Sequence, residues 1–80
     1  MITVNVRVYS ALNYYVKKQD NHRWFKFAIT DGSTVAQLIA ELNIPESEVM
    51  IIRVNGEICN NKQILDEGDS IELYPWLAGG

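Results

Sequence analysis

Eighty residues with 48% apolar and 21% charged side chains describe one small globular domain, too short for two cores and too apolar to stay disordered. Seven Lys/Arg against ten Asp/Glu leave a net charge of −3 with no basic run, which argues against a nucleic-acid partner and for a basic surface on a protein partner. The single cysteine, Cys59, excludes an internal disulfide framework, a four-cysteine zinc site and a four-cysteine iron–sulfur cluster.

The chain opens on Ile2-Thr3-Val4, a strand-like start with none of the charge and apolar pattern of a signal peptide. No apolar run approaches the roughly 18 residues that would span a bilayer. The expectation is a cytoplasmic protein with no membrane partner.

From Ile2 to Tyr9 the residues alternate, with Ile2, Val4, Val6 and Val8 on one face and Thr3, Asn5, Arg7 and Tyr9 on the other, which predicts a half-buried strand. Ser10 is placed to cap a short helix through about Val16, with Ala11, Leu12 and Tyr15 on one side. Tyr14, Tyr15 and Val16 are indifferent helix formers and limit it to one or two turns. Lys17 to His22 is polar and reads as a loop. Alternation resumes from Arg23 to Thr30, with Phe25, Phe27 and Ile29 inward and Trp24, Lys26 and Ala28 outward. This second strand should pair antiparallel with the first. Trp24, on the face away from the core aromatics, is either a partner contact or a packed edge residue.

Asp31-Gly32-Ser33 is turn chemistry, and Thr34-Val35-Ala36-Gln37 matches a capping box. Val35, Leu38, Ile39 and Leu42 then form one stripe of a 3.6-residue period, ended by Asn43 and Pro45. Glu46-Ser47-Glu48 suits a single helical turn, and Val49 to Asn55 reads as a buried central strand. Asn55-Gly56 fits a type I′ hairpin into Glu57-Ile58-Cys59. After the loop Asn60 to Gln63, Ile64 and Leu65 are both expected in the core. A tight acidic turn, Asp66 to Asp69, leads to the closing strand, Ile71 to Tyr74.

One helix among hairpin-like strands can bury its stripe only by crossing the sheet. The fold class is therefore α+β: a β-grasp, ubiquitin-like mixed sheet with one main helix across one face, the first and last long strands parallel at its centre. The domain should run over residues 1–75, because Pro75 cannot donate a ladder hydrogen bond. Residues 76–80 would form a flexible tail. Trp76 to Gly80 can reach roughly 16 Å from the body at about 3.3 Å per residue. Gly79 and Gly80 are thin enough to thread a narrow cleft, which reads either as a carboxylate offered to another protein or as a frayed end.

Four segments of the chain resemble the MoaD/ThiS family of ubiquitin-like sulfur carriers, the MoaD-like branch more than the ThiS-like. They are Val6-Arg7-Val8-Tyr9-Ser10-Ala11-Leu12, Asp31-Gly32-Ser33-Thr34-Val35 with Leu38 and Leu42, Val54-Asn55-Gly56, and Leu65-Asp66-Glu67-Gly68-Asp69 with Gly79-Gly80. The resemblance implies a carrier, not an enzyme in its own right. A ubiquitin-activating-type adenylyltransferase would use ATP to adenylate the Gly80 carboxylate, and a sulfur donor protein would convert it to a thiocarboxylate. The acceptor would be a pterin precursor of molybdenum cofactor on a large synthase subunit, with the thiazole of thiamin or protein lysines as alternatives. No cofactor or metal would be bound by the chain. Trp76, Leu77, Ala78 and Gly79 would contact the partner, Trp76 and Leu77 anchoring the root of the tail. Tyr74-Pro75-Trp76-Leu77-Ala78 departs from the family's usual segment before the glycines, as does Asn13-Tyr14-Tyr15 from its short helix.

Cys59 reads as a small hydrophobe at an edge or in the core before it reads as a reactive thiol. His22, in a polar loop with no second ligand at metal spacing, reads as a solvated side chain.

Overall fold

β-branched residues at alternate positions commit the first segment to a strand with one apolar face. In the computed structural model, which describes residues 1–16 and 24–76, this is β1 (Ile2–Val8), with Val4, Val6 and Val8 buried. The remaining strands are β2 (Phe25–Ile29), β3 (Val49–Val54), β4 (Glu57–Cys59) and β5 (Ser70–Pro75). They form a five-stranded sheet in the order β2-β1-β5-β3-β4. β1 and β5 run parallel, Val6 beside Ile71 and Val8 beside Leu73, and the other neighbours are antiparallel. The predicted β-grasp arrangement is borne out, including the antiparallel pairing of β1 with β2.

The helix α1 (Val35–Glu41) forms where the stripe predicts it, and Val35, Leu38, Ile39 and Leu42 are all buried. Its capping box is complete: the Gln37 amide donates to Thr34 Oγ1 at 3.3 Å, and the Thr34 amide donates to Gln37 Oε1 at 2.9 Å. Two more first-turn amides find carbonyls on the loop before Leu65, Val35 to Gln63 at 2.9 Å and Ala36 to Asn61 at 2.9 Å. A helix start otherwise left with orphan donors is thereby satisfied, and the loop is fixed over it. Asn43, at φ 62°, turns the chain out of the helix. Helix and sheet close one core, in which Val4, Val6, Leu38, Ile39, Ile71 and Leu73 are fully buried.

Four expectations need correction. Ser10 does not cap a helix: it has φ 50°, Tyr9 takes the extended cap position with no side-chain hydrogen bond, and Ser10–Tyr14 is a 3-10 turn in which Leu12 is buried but Ala11 is exposed. Three-residue periodicity aligns Leu12 with Tyr15 but leaves Ala11 outside. β3 is not central, because the parallel pairing of β1 with β5 displaces it one place outward. Nor is β3 buried throughout, since only Ile52 is fully within the core, Val49 and Val54 are half-buried against it and Met50 is exposed. Ile64 points outward at 56% exposure while Leu65 is buried, because a bridge to Thr34 holds the segment extended and consecutive side chains alternate. The predicted loop at Lys17 to His22 lies outside the described residues.

Candidate interaction surface

α1 covers one face of the sheet. The other carries the outward side chains of β1, β5 and β3, and strand register brings them into rows. Arg7 pairs with Glu72 and Glu72 with Arg53; Arg53 pairs with Ile58, and Ile51 with Tyr74.

Glu72 is the hub of this open face. Its Oε2 accepts the Tyr9 hydroxyl at 2.6 Å and the Tyr74 hydroxyl at 3.4 Å, and its Oε1 lies 3.8 Å from Arg53 Nε. The two tyrosine rings stack at 4.3 Å between centroids and 9° between planes. Arg53 also donates to the Gly56 carbonyl at 2.9 Å, which ties the β3–β4 turn into the network. On the far side of Tyr9, the Arg7 guanidinium lies 4.9 Å from that ring's centroid and 5.9 Å from that of Trp24. Trp24 thus packs against β1 through Arg7 while remaining partly exposed.

Burial, the hydrogen bond to the Glu72 carboxylate and the neighbouring Tyr74 hydroxyl push the Tyr9 phenol well above its ordinary range. The unfolded chain releases this proton near pH 10, while the folded chain keeps it. Above that pH the folded state therefore binds more protons than the unfolded one, and stability falls as pH rises. The melting temperature should decline above about pH 10, and more gently in Tyr9→Phe. Identical alkaline melting curves for the two proteins would remove this account of Tyr9.

At the predicted site, the structure describes Trp76 and not Leu77, Ala78, Gly79 or Gly80, which lie outside the described residues. Pairing ends at Pro75, in register with Val49, as the missing proline donor predicts. The Trp76 indole donates to the Ser47 carbonyl at 2.8 Å, while 59% of the residue stays exposed. The root of the tail is therefore fastened to the turn Glu46–Glu48 of its own chain. Cys59 lies opposite Ile52, half-buried against the core, and burial raises its thiol pKa. His22 lies outside the described residues.

The open-face network escaped the sequence reading, which marked Arg7 and Tyr9 only as outward-facing and Trp24 as a partner contact or a packed edge residue. Residues 7, 53 and 72 meet only through long-range register, and no local spacing announces that.

A protein-family model, Mut7-C ubiquitin, matches residues 1–79. The chain belongs to the Mut7-C ubiquitin family. No curated protein matches it. Among solved structures it is similar to the HVO 2177 protein of Haloferax volcanii, at 20% identity and TM-score 0.74 over 99% of this chain and 87% of that one. It is also similar to small archaeal modifier protein 1 of the same organism, at 18% identity and TM-score 0.71 over 96% and 100% of the two chains. A third similarity, at 25% identity and TM-score 0.60 over 99% and 100%, is to a structure described as a complex of subunits 1 and 2 of molybdopterin-converting factor from Helicobacter pylori. The MoaD-like, ubiquitin-like resemblance drawn from the residues holds, and the family model places this chain among the Mut7-C ubiquitin members. Among the described residues, no helix is long and apolar enough to cross a membrane.

Proposed function

We propose that this ubiquitin-like domain is a sulfur carrier whose Gly80 carboxylate is activated and sulfurated by partner enzymes. The observation that carries the reading is the root of the tail. β5 is hydrogen-bonded on both edges, by β1 and by β3, and its last paired residue is Pro75. The Trp76 indole is then fixed to Ser47. The Gly79-Gly80 segment therefore begins from an anchored point, with no Cβ to obstruct entry into a partner's cleft.

A carboxylate resists nucleophiles until one oxygen becomes a good leaving group. A ubiquitin-activating-type adenylyltransferase supplies this: a Gly80 oxygen attacks the α-phosphorus of ATP and pyrophosphate leaves. A sulfur donor at the sulfide level then adds to the acyl carbon and expels AMP, leaving a thiocarboxylate on Gly80. The partner provides the electrostatic stabilisation, and the carrier contributes geometry alone. A pterin precursor of molybdenum cofactor, held by a large synthase subunit, is the acceptor in this reading. The Helicobacter complex of two molybdopterin-converting-factor subunits supports that choice.

Intact and fragment mass spectrometry of protein from its native host tests the proposal. We expect one oxygen replaced by sulfur, localised to Gly80. An amide bond from Gly80 to a lysine would favour a protein modifier. A plain carboxylate despite ATP, sulfur donor and activating enzyme, or a chain that continues past Gly80, would overturn the carrier reading.

A further inference from the structure

The chain is acidic overall, yet its open sheet face is not. Arg7, Lys26 and Arg53 stand there, and among the described residues Glu72 is the face's one carboxylate, already engaged by two tyrosine hydroxyls and facing Arg53. The other described carboxylates sit on α1, in turns, on the edge strand β4 and in the loop before β5.

Two features on this face suit a partner. Arg7 Nε is buried without a hydrogen-bond partner among the described residues. The guanidinium is held against the Tyr9 and Trp24 rings, which fixes a cation in place on this face. Beside Arg53, a groove of about 350 Å³ is lined by Ile51, Arg53, Gly56, Ile58 and Tyr74. Ile58 on its wall is 75% exposed and, with Ile51 and Tyr74, gives the groove an apolar lining.

We infer that the open face is a docking surface for an acidic protein segment, which seats one large apolar side chain in the groove beside Arg53 and sets carboxylates against Arg7 and Arg53. Guanidinium forks match carboxylates in geometry as well as charge. A single strand of nucleic acid fits less well. It needs free aromatic faces on which bases stack, whereas Tyr9 is covered by Tyr74 on one side and Arg7 on the other. This inference does not depend on the chemistry of Gly80. It also reverses the expectation drawn from net charge: on this face the partner is acidic, not basic.

The test is titration of the isotope-labelled protein, followed by amide NMR. The probes are a synthetic peptide with one Phe flanked by Glu and Asp, the same peptide with Phe replaced by Ala, a copy with Lys at every acidic position, and oligouridylate. We expect shifts confined to the open face with the acidic Phe peptide, and about tenfold or weaker binding on loss of the Phe or of one arginine contact.

Ile58→Glu should abolish binding with the fold intact. Arg7→Met removes the cation at similar length and relieves an unpaired donor. It should weaken binding at least about tenfold while the amide spectrum of the free protein shows the fold intact. Binding of the Lys peptide or of oligouridylate in preference, shifts that map to α1, or no binding by any probe would each overturn the inference. So would shifts that track protein concentration alone, which would mark the face as a contact between copies of this chain.

Discussion

Leu73→Ala is expected to destabilise the domain by about 2–5 kcal/mol, the range for truncating a buried leucine and leaving a cavity. Leu73 is fully buried on the central strand, between Val8 of β1 and Ile52 of β3, in the core that the α1 stripe also enters. Strands on both sides pair with that residue, so collapse around the cavity would have to disturb the register of two ladders. A domain of this length holds about 4–12 kcal/mol in total, so the substitution removes a large share. It should lower the melting temperature by roughly 8–40 °C. Urea titration would show a lower midpoint at unchanged slope, since slope follows the area exposed on unfolding. Ile58→Ala, on the open face, should stay within about 0.5 kcal/mol of wild type. A Leu73→Ala protein as stable as Ile58→Ala would mean that the core is not closed at β5.

That contrast between faces also marks what the sequence made legible. α1 was readable in full because its information is local: a capping box within four residues and a stripe within eight. The strands were readable as strands because alternation is local too, and the parallel pairing of β1 with β5 was expected from the likeness to β-grasp domains. Reading failed where a neighbour outside the segment decided the outcome. Ser10 looked like a cap by residue type, but the turn out of β1 gives it a left-handed backbone and Tyr9 takes the cap position. Ile64 looked like core by hydropathy, but the bridge to Thr34 sets its orientation. The open-face cluster was the least legible, since Arg7, Arg53 and Glu72 become neighbours only once three strands are in register. Net charge even pointed the other way, because a sum over the chain conceals how a fold sorts its signs between faces. At the tail, Trp76 was marked correctly as the root, but its bond to Ser47 depends on a turn 29 residues upstream in sequence.

Asn55 carries the second large effect, and Asn55→Asp, a change of one atom, separates its two roles. The type I′ turn predicted at Asn55-Gly56 forms with φ 53° and 85°, a conformation that Asn tolerates better than other non-glycine residues. The side chain does more than tolerate it. Asn55 Oδ1 accepts from the Ser70 amide at 2.9 Å, and Nδ2 donates to Asp69 Oδ1 at 2.9 Å. The hairpin is thereby bound to the acidic turn that launches β5. Aspartate keeps the backbone preference and the acceptor for Ser70, but it replaces the donor with a second carboxylate against Asp69. The lost bond contributes about 0.5–1.5 kcal/mol, and the repulsion adds to it. Asn55→Asp should therefore cost about 2 kcal/mol, or roughly 8–16 °C in melting temperature. Lowering the pH to about 4 should recover part of the loss, since protonating the introduced carboxyl restores a donor between the two groups. Asn55→Gly keeps the backbone without either bond, and its loss should not respond to pH in this way. If Asn55→Asp melts with wild type at neutral pH, the bond to Asp69 contributes nothing, and the two turns are joined by the Ser70 bond and backbone hydrogen bonds.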